Sequence, residues 1–282
     1  MSIGAIDELS QELTTLGQKL TLIPCHPRLG KMVLMACMFK CLTPILDVVA
    51  VLSDKDPFLL SNLKMRNKIK YEIGSKRAYY DRDLCSDHLM FHNLYQAWEN
   101  AYDAGYNELF CHNNHLNNRV MLTMWKIKKD VYDRLVHLNM IKDLNDANFY
   151  SNNINLIKGV ICSSFNVAKC GRHERHRYNY VIDPSRKDKV GIDYKSVNQN
   201  KFMPQKYMTY FNASVNRKGN IHIRDCTNLS EKLVNIFTRD TKCNLGTDLQ
   251  DSFEEFLDSN NNAKSPTKTV NNVLKFIREN VK

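Results

Sequence analysis

No stretch of this chain reaches about 18 consecutive apolar residues, so no segment reads as a membrane-spanning helix. Glycine and proline are scarce, 10 and 7 in 282 residues, which excludes a collagen-like or low-complexity chain. The opening MSIGAIDELSQEL carries acids and no apolar core, so it does not read as a secretory signal. The 9 cysteines are therefore expected to be reduced thiols of a cytoplasmic protein, with the nucleus as the alternative. No nucleotide-binding loop is present. The only Gly-Lys pair is Gly30-Lys31, with Cys25 where the loop needs its first glycine and Met32 where it needs Ser or Thr. The amides that cradle phosphate and the hydroxyl that holds Mg²⁺ are both missing. Neither an acidic metal-binding strand end nor a GxSxG elbow occurs. The chain is expected to be no enzyme, and to use no cofactor.

Metal-ligating residues are thinly spread. Cys162, Cys170, His173 and His176 have suitable atoms, but their spacing is not a finger spacing and Cys162 falls in a predicted helix. No metal site is expected. Cys37 and Cys41 read as core thiols on one helix face. Asp87 beside His88 reads as a capping acid and a first-turn histidine rather than an acid–base pair.

What is abundant is positive charge and asparagine. There are 31 Asn, a mark of polar loops. Net charge is +10, and between Asn166 and Arg224 there are 13 Lys and Arg against 4 Asp and Glu, nine of the ten excess charges. A basic field this local suits a polyanion, and nucleic acid is the common one. With 43% hydrophobic residues the chain can bury one large core or two modest ones.

Periodicity divides the chain into a helical half and a strand half. Pro27 opens a helix with Leu29, Met32, Val33 and Ala36 on one stripe, and Thr43-Pro44 opens an apolar second one. Residues 59–85 are charged and weakly periodic. Ser86-Asp87 caps a helix with Met90, Leu94, Ala97 and Trp98 inward, ended by Gly105. Asn118–Leu138 is a long helix with a basic outer face. Residues 143–153 read as loop and Ile154–Val167 as a short helix. The period then becomes two. Tyr178–Ile182, Lys189–Ile192, Lys206–Phe211, Asn220–Arg224 and Leu229–Phe237 are predicted strands, enough for a small barrel. Aromatics interleave with the cations there, among them Tyr194, Phe202 and Tyr207, and could stack bases or fill the barrel. Polar loops are expected at 242–246 and 258–268, and a terminal amphipathic helix at 270–281.

Several stretches, in order, resemble the C-terminal part of DExH-box RNA helicases. LTTLGQKLTLIPCHPRLGKM followed by CLTPILDVVAVLSDKDPF resembles the paired helices of that region. SDHLMFHNLYQAW resembles its "SDH" helix, and FCHNNHLN the entry to its long ratchet helix. LIKGVICSSFNVAK resembles the helix leading into the OB-fold. KSVN and IHIRDCTNLS resemble two strands of that fold, and DSFEEFL with the last helix its closing segment. The pattern is most similar to the subgroup of G-quadruplex-resolving and YTH-domain-containing helicases. Two departures stand out. Asp193-Tyr194 occupies the family's His-Pro before the OB loop, and Lys128-Lys129-Asp130 replaces a basic residue followed by Gln.

The resemblance implies an α+β chain. An N-terminal α-helical ratchet-like bundle (1–150) would be followed by a C-terminal OB-fold-like β-barrel with a terminal helix (151–282). Both ATPase lobes of the family would be absent. It implies an auxiliary region that guides single-stranded or structured RNA. The remaining partners would be the helicase core of the same parent chain and a translational regulatory protein, with no membrane. The expected RNA contacts are Lys128 and Lys129 on the long helix. In the strand half they are Lys169, Arg172, Arg175, Arg177, Lys195, Ser196, Lys206, Tyr207, Arg217, Lys218 and Arg224. The alternative is a protein-interaction scaffold of a degenerate helicase-like translational regulator.

Overall fold

The computed structural model describes residues 3–7, 9–59, 67–172, 179–182, 189–199, 201–216, 219–238, 244–258 and 267–281. Nine helices precede the strands among these residues: α1 (Thr15–Thr21), α2 (Pro27–Phe39), α3 (Leu42–Leu52), α4 (Asn67–Asp81), α5 (Asp87–Asp103), α6 (Asn107–Asn113), α7 (Asn118–His137), α8 (Leu144–Ala147) and α9 (Ile154–Cys162). Five strands follow: β1 (Asn166–Arg172), β2 (Asn179–Ile182), β3 (Lys189–Ile192), β4 (Tyr207–Val215) and β5 (Ile221–Leu229). Helices α10 (Glu231–Phe237), α11 (Asn244–Asp258) and α12 (Thr267–Asn280) close the chain.

The expected start signals operate. Pro27 is the first residue of α2, capped by His26, whose Nδ1 accepts from the Arg28 amide at 3.2 Å. Ser86 caps α5 through its Oγ, which accepts from the Leu89 amide at 3.1 Å. Gly105, with φ of 78°, sits just past the end of α5, where a left-handed backbone favours glycine.

The chain packs as two compact units that interleave along the sequence. One comprises residues 1–46, 129–167 and 229–282; the other comprises 47–128 and 168–228. The first unit is helical. Gly159 of α9 lies against the Phe237 ring of α10, where any Cβ would collide with the ring. Phe237 in turn meets Phe39 with ring centroids 5.6 Å apart.

The second unit holds two cores. In the helical one, Trp98 and Tyr95 are fully buried with Val51, Leu94, Met121 and Met124. The other fills a closed barrel of strand order β1-β2-β3-β5-β4. Ala168, Val181, Val190, Ile192, Met208, Tyr210, Ile223 and Cys226 point inward, as the alternation of strand side chains requires. β1–β2 and β2–β3 are antiparallel, while β3 and β5 run parallel with Ile192 opposite Ile223.

Three sequence expectations change. Leu229–Phe237 is not a strand: β5 ends at Leu229, Ser230 caps, and α10 follows. A short apolar run bounded by a capping serine fits either period, and the cap decides it. The helix expected over Ile154–Val167 stops at Cys162, and Asn166 opens β1. β1 is poor in β-branched and aromatic residues, so its strand character has no local signal. KSVN at 195–198 forms a turn rather than a strand.

Candidate nucleic-acid interface

The second unit contains a cavity of about 310 Å³ bounded by α3, α4, α5, the 193–198 turn, β4 and β5. Its wall is built on α5. Asp87, the first residue of that helix, accepts from Ser196 Oγ at 2.7 Å, the Val197 amide at 2.8 Å and the Cys226 amide at 2.9 Å. The neighbours complete the joint. Ser86 Oγ lies 2.6 Å from Thr227 Oγ1, and His88 Nδ1 lies 2.7 Å from the same hydroxyl. The Ser-Asp-His motif thus fastens α5 to β5 and the 193–198 turn. Burial raises the Asp87 pKa to about 7 against the pull of its three hydrogen bonds, and burial lowers that of His88 to about 3.

β5 reaches Asp87 because it kinks. Asp225 has a φ of 55°, a left-handed conformation that Asp tolerates, and the Cys226 amide directly after it meets the Asp87 carboxylate. Burial also raises the Asp225 pKa. On the cavity's other side, Arg77 of α4 donates from Nη2 to both Asp56 oxygens, at 2.9 and 2.7 Å, and covers the Phe58 ring at 4.3 Å. Arg224 contributes a buried Nε with no hydrogen-bond partner among the described residues. A buried donor of this kind suits an anionic oxygen.

The expected contact residues separate by what already holds them. Lys128 is enclosed by its own unit: its ammonium lies 2.9 Å from Asp47 and 3.0 Å from Glu99, and 4.8 Å from the Tyr95 ring centroid. Lys129, one residue on, is exposed. Ser196 is buried on Asp87 rather than turned to solvent. Lys195 lies 3.8 Å from Asp56, and its amide donates to Asp193 Oδ1 at 2.9 Å. Asp193, the departure from the family's His-Pro, thus orders the turn. Tyr207 is half-buried, its carbonyl accepting from Asn228 Nδ2. Lys169, Arg172 and Lys206 are exposed, and none forms an ion pair among the described residues. Arg175, Arg177, Arg217 and Lys218 lie outside the described residues, as do His173 and His176. Cys162 is fully buried, and no cluster of metal-ligating side chains occurs among the described residues.

Strand direction groups these cations. β1, β3 and β5 run the same way, so Arg172 finishes β1 at the end where the 193–198 turn leaves β3. Lys206 sits there too, its carbonyl accepting from the Cys170 amide at 2.9 Å. Lys189, also exposed, opens β3 at the opposite end, so the described cations of the basic segment do not share one surface. Sequence reasoning did not single out Arg77, Asp56, Asp87 or Thr227 as parts of one site. The Ser-Asp-His motif was visible, but its partners lie more than a hundred residues away in the chain.

Residues 26–91 match the family described as "Helicase associated domain (HA2), ratchet-like". The chain is 29% identical over 241 residues to the DExH-box ATP-dependent RNA helicase DExH1 of Arabidopsis thaliana, covering 84% of this chain and 23% of that protein. It is 30% identical over 239 residues to the ATP-dependent DNA/RNA helicase DHX36 of Homo sapiens, covering 82% and 23%. Identity to the ATP-dependent RNA helicase DHX30 of Homo sapiens is 26% over 254 residues, covering 84% and 21%. The chain spans less than a quarter of the length of these relatives. With the ratchet-like match, alignment over most of the chain and a closed five-stranded barrel after the helices, it is similar to the C-terminal, helicase-associated region of the DExH-box helicases.

Proposed function

We propose that this chain is an auxiliary RNA-binding region of a DExH-box helicase or helicase-like protein, guiding single-stranded RNA without an ATPase of its own. It would serve a helicase core elsewhere in the same parent protein and work in the cytoplasm. The family-style division, ratchet-like helices over 1–150 and OB-like barrel over 151–282, is part of this reading. The relatives named as RNA helicases support it, and so does the missing phosphate loop.

The observation that carries it is the set Lys169, Arg172 and Lys206: three exposed barrel cations with no acidic partner among the described residues. Uncompensated cations on a barrel are what phosphate neutralisation needs, and exposed aromatics nearby in sequence, Tyr194 and Phe202, can stack bases. The test is the salt dependence of binding to a fluorescent single-stranded RNA. Changing Lys169, Arg172 and Lys206 together to Ala should weaken binding and flatten the log–log salt slope by about 2, at roughly 0.7 per phosphate contact. Wild-type affinity and slope in the triple variant would refute the reading.

A further inference from the structure

The helical unit carries a second concavity whose chemistry opposes that of the barrel. A groove of about 520 Å³ runs between the N-terminal segment and α11. Its apolar walls are Ile6, Leu9, Leu16, Phe253 and Leu257. Leu16, Phe253 and Leu257 are buried in the unit's own packing, but Ile6 is 53% exposed and Leu9 98%. Leu9 is held in that position. Asp7 Oδ1 accepts from the Leu9 amide at 3.0 Å and the Ser10 amide at 2.7 Å, and the turn is closed by the Ile6–Leu13 bridge.

Acids form the rim. Asp7, Glu254 and Asp258 line the groove. α11 carries five acids, Asp248, Asp251, Glu254, Glu255 and Asp258, all exposed, and no Lys or Arg. Among the described residues the one cation lining the groove is Lys31, 5% exposed, with Nζ 3.4 Å from the Ile3 carbonyl. In a chain of net charge +10 this is a local reversal of sign. An apolar floor inside an acidic rim is complementary to one kind of occupant, leucine-like anchors flanked by Lys or Arg. It repels nucleic acid.

We propose that this groove docks a basic amphipathic segment of another protein, with apolar side chains on Leu9 and Ile6 and cations on Asp7, Glu254 and Asp258. It is a protein-interaction surface separate from the barrel cations, and it stands whether or not those bind RNA.

The probe is a fluorescein-labelled peptide of about 18 residues, with leucines at i, i+3, i+4 and i+7 and lysines between them. A counterpart with glutamate for lysine is the first control. Binding is followed by anisotropy, with Glu254→Lys/Asp258→Lys and Leu9→Ser as groove variants. Asp248→Lys/Glu255→Lys makes the same charge change on the opposite face of α11. All five sites are exposed, and unchanged melting curves check folding. The lysine peptide should bind wild type and the glutamate peptide should not. Each groove variant should weaken binding at least tenfold, and the opposite-face variant less than twofold. Absence of binding to wild type, equal loss in the opposite-face variant, or no loss in the groove variants would each overturn the proposal. So would sedimentation showing that wild type self-associates and Leu9→Ser does not, since the occupant would then be a second copy.

Discussion

Two basic neighbourhoods, α7 and the barrel, look alike as strings of lysine and arginine but differ physically. On α7, Lys128 faces a fully buried carboxylate, Asp47, and shares it with His92 Nδ1 at 2.7 Å and Gln96 Nε2 at 2.8 Å. Its positive charge is neutralised inside the fold. On the barrel, Lys169, Arg172 and Lys206 face solvent with no acid beside them among the described residues. A charge count weighs these cations equally. Only the second group has field to offer a polyanion, because a paired charge must lose one partner before gaining another.

The largest effect that would test this contrast comes from removing the buried acid. Asp47→Ala leaves Lys128 and His92 facing an uncompensated hole. It should cost about 3–5 kcal/mol of stability, the range for breaking a buried ion pair from one side. Chemical denaturation reads this directly. A loss below about 1 kcal/mol would mean that Lys128 simply swings to water, and α7 would rejoin the barrel as an available basic surface.

A second test uses acidity at the Ser-Asp-His joint, where polar groups are again internal. Asp87, raised to about 7, stabilises the fold fully below its ordinary carboxylate range, and that contribution is lost as pH climbs through 7. His88, lowered to about 3, works in the other direction: stability is full above its ordinary value near 6.5 and is lost as pH falls toward 3. The two slopes oppose each other between about pH 4 and 6.5, so wild type should be nearly flat there with respect to this pair. Asp87→Asn should make stability rise with pH across that window, and His88→Gln should make it fall. Each slope should reach at most about 1.4 kcal/mol per pH unit, the value for one proton. Equal slopes in wild type and both variants would show that neither group titrates abnormally.

These joints also show how far the residues alone could be read. The caps and proline starts of α2 and α5, the buried stripe around Trp98 and the existence of a small barrel all follow from local spacing. β1 was invisible because Asn166–Arg172 has little β-branched or aromatic content, and α10 was misassigned because its apolar run suits either period. The helix α4 was hidden by its weak periodicity, although Ile73, Arg77 and Tyr80 are its buried face. At the site, residue types were legible and partners were not. Nothing local in KSVN says that its serine turns inward to Asp87, or that Lys128 meets an aspartate 81 positions earlier in the chain. Such pairings are decided by tertiary packing alone.

The smallest effect compares two adjacent lysines. Lys128 and Lys129 are consecutive on α7, so their side chains leave the helix about 100° apart. One points into the Asp47–Glu99 pair, and the other is exposed. Lys129→Ala should leave stability within about 0.5 kcal/mol, as for an ordinary surface change. If the ratchet helix meets RNA through this residue, the salt slope should flatten by about 0.7, one contact on a single strand. Lys128→Met should do the reverse. It should lower stability measurably, because Asp47 keeps only His92 and Gln96 as donors, while leaving the salt slope at its wild-type value. The measurement is the pair of slopes, taken at the same three salt concentrations with folding confirmed for both variants. A slope change in Lys128→Met as large as in Lys129→Ala would show that the buried pair opens to reach phosphate. The distinction between enclosed and exposed cations would then fail on α7, while the barrel cations would remain a separate case.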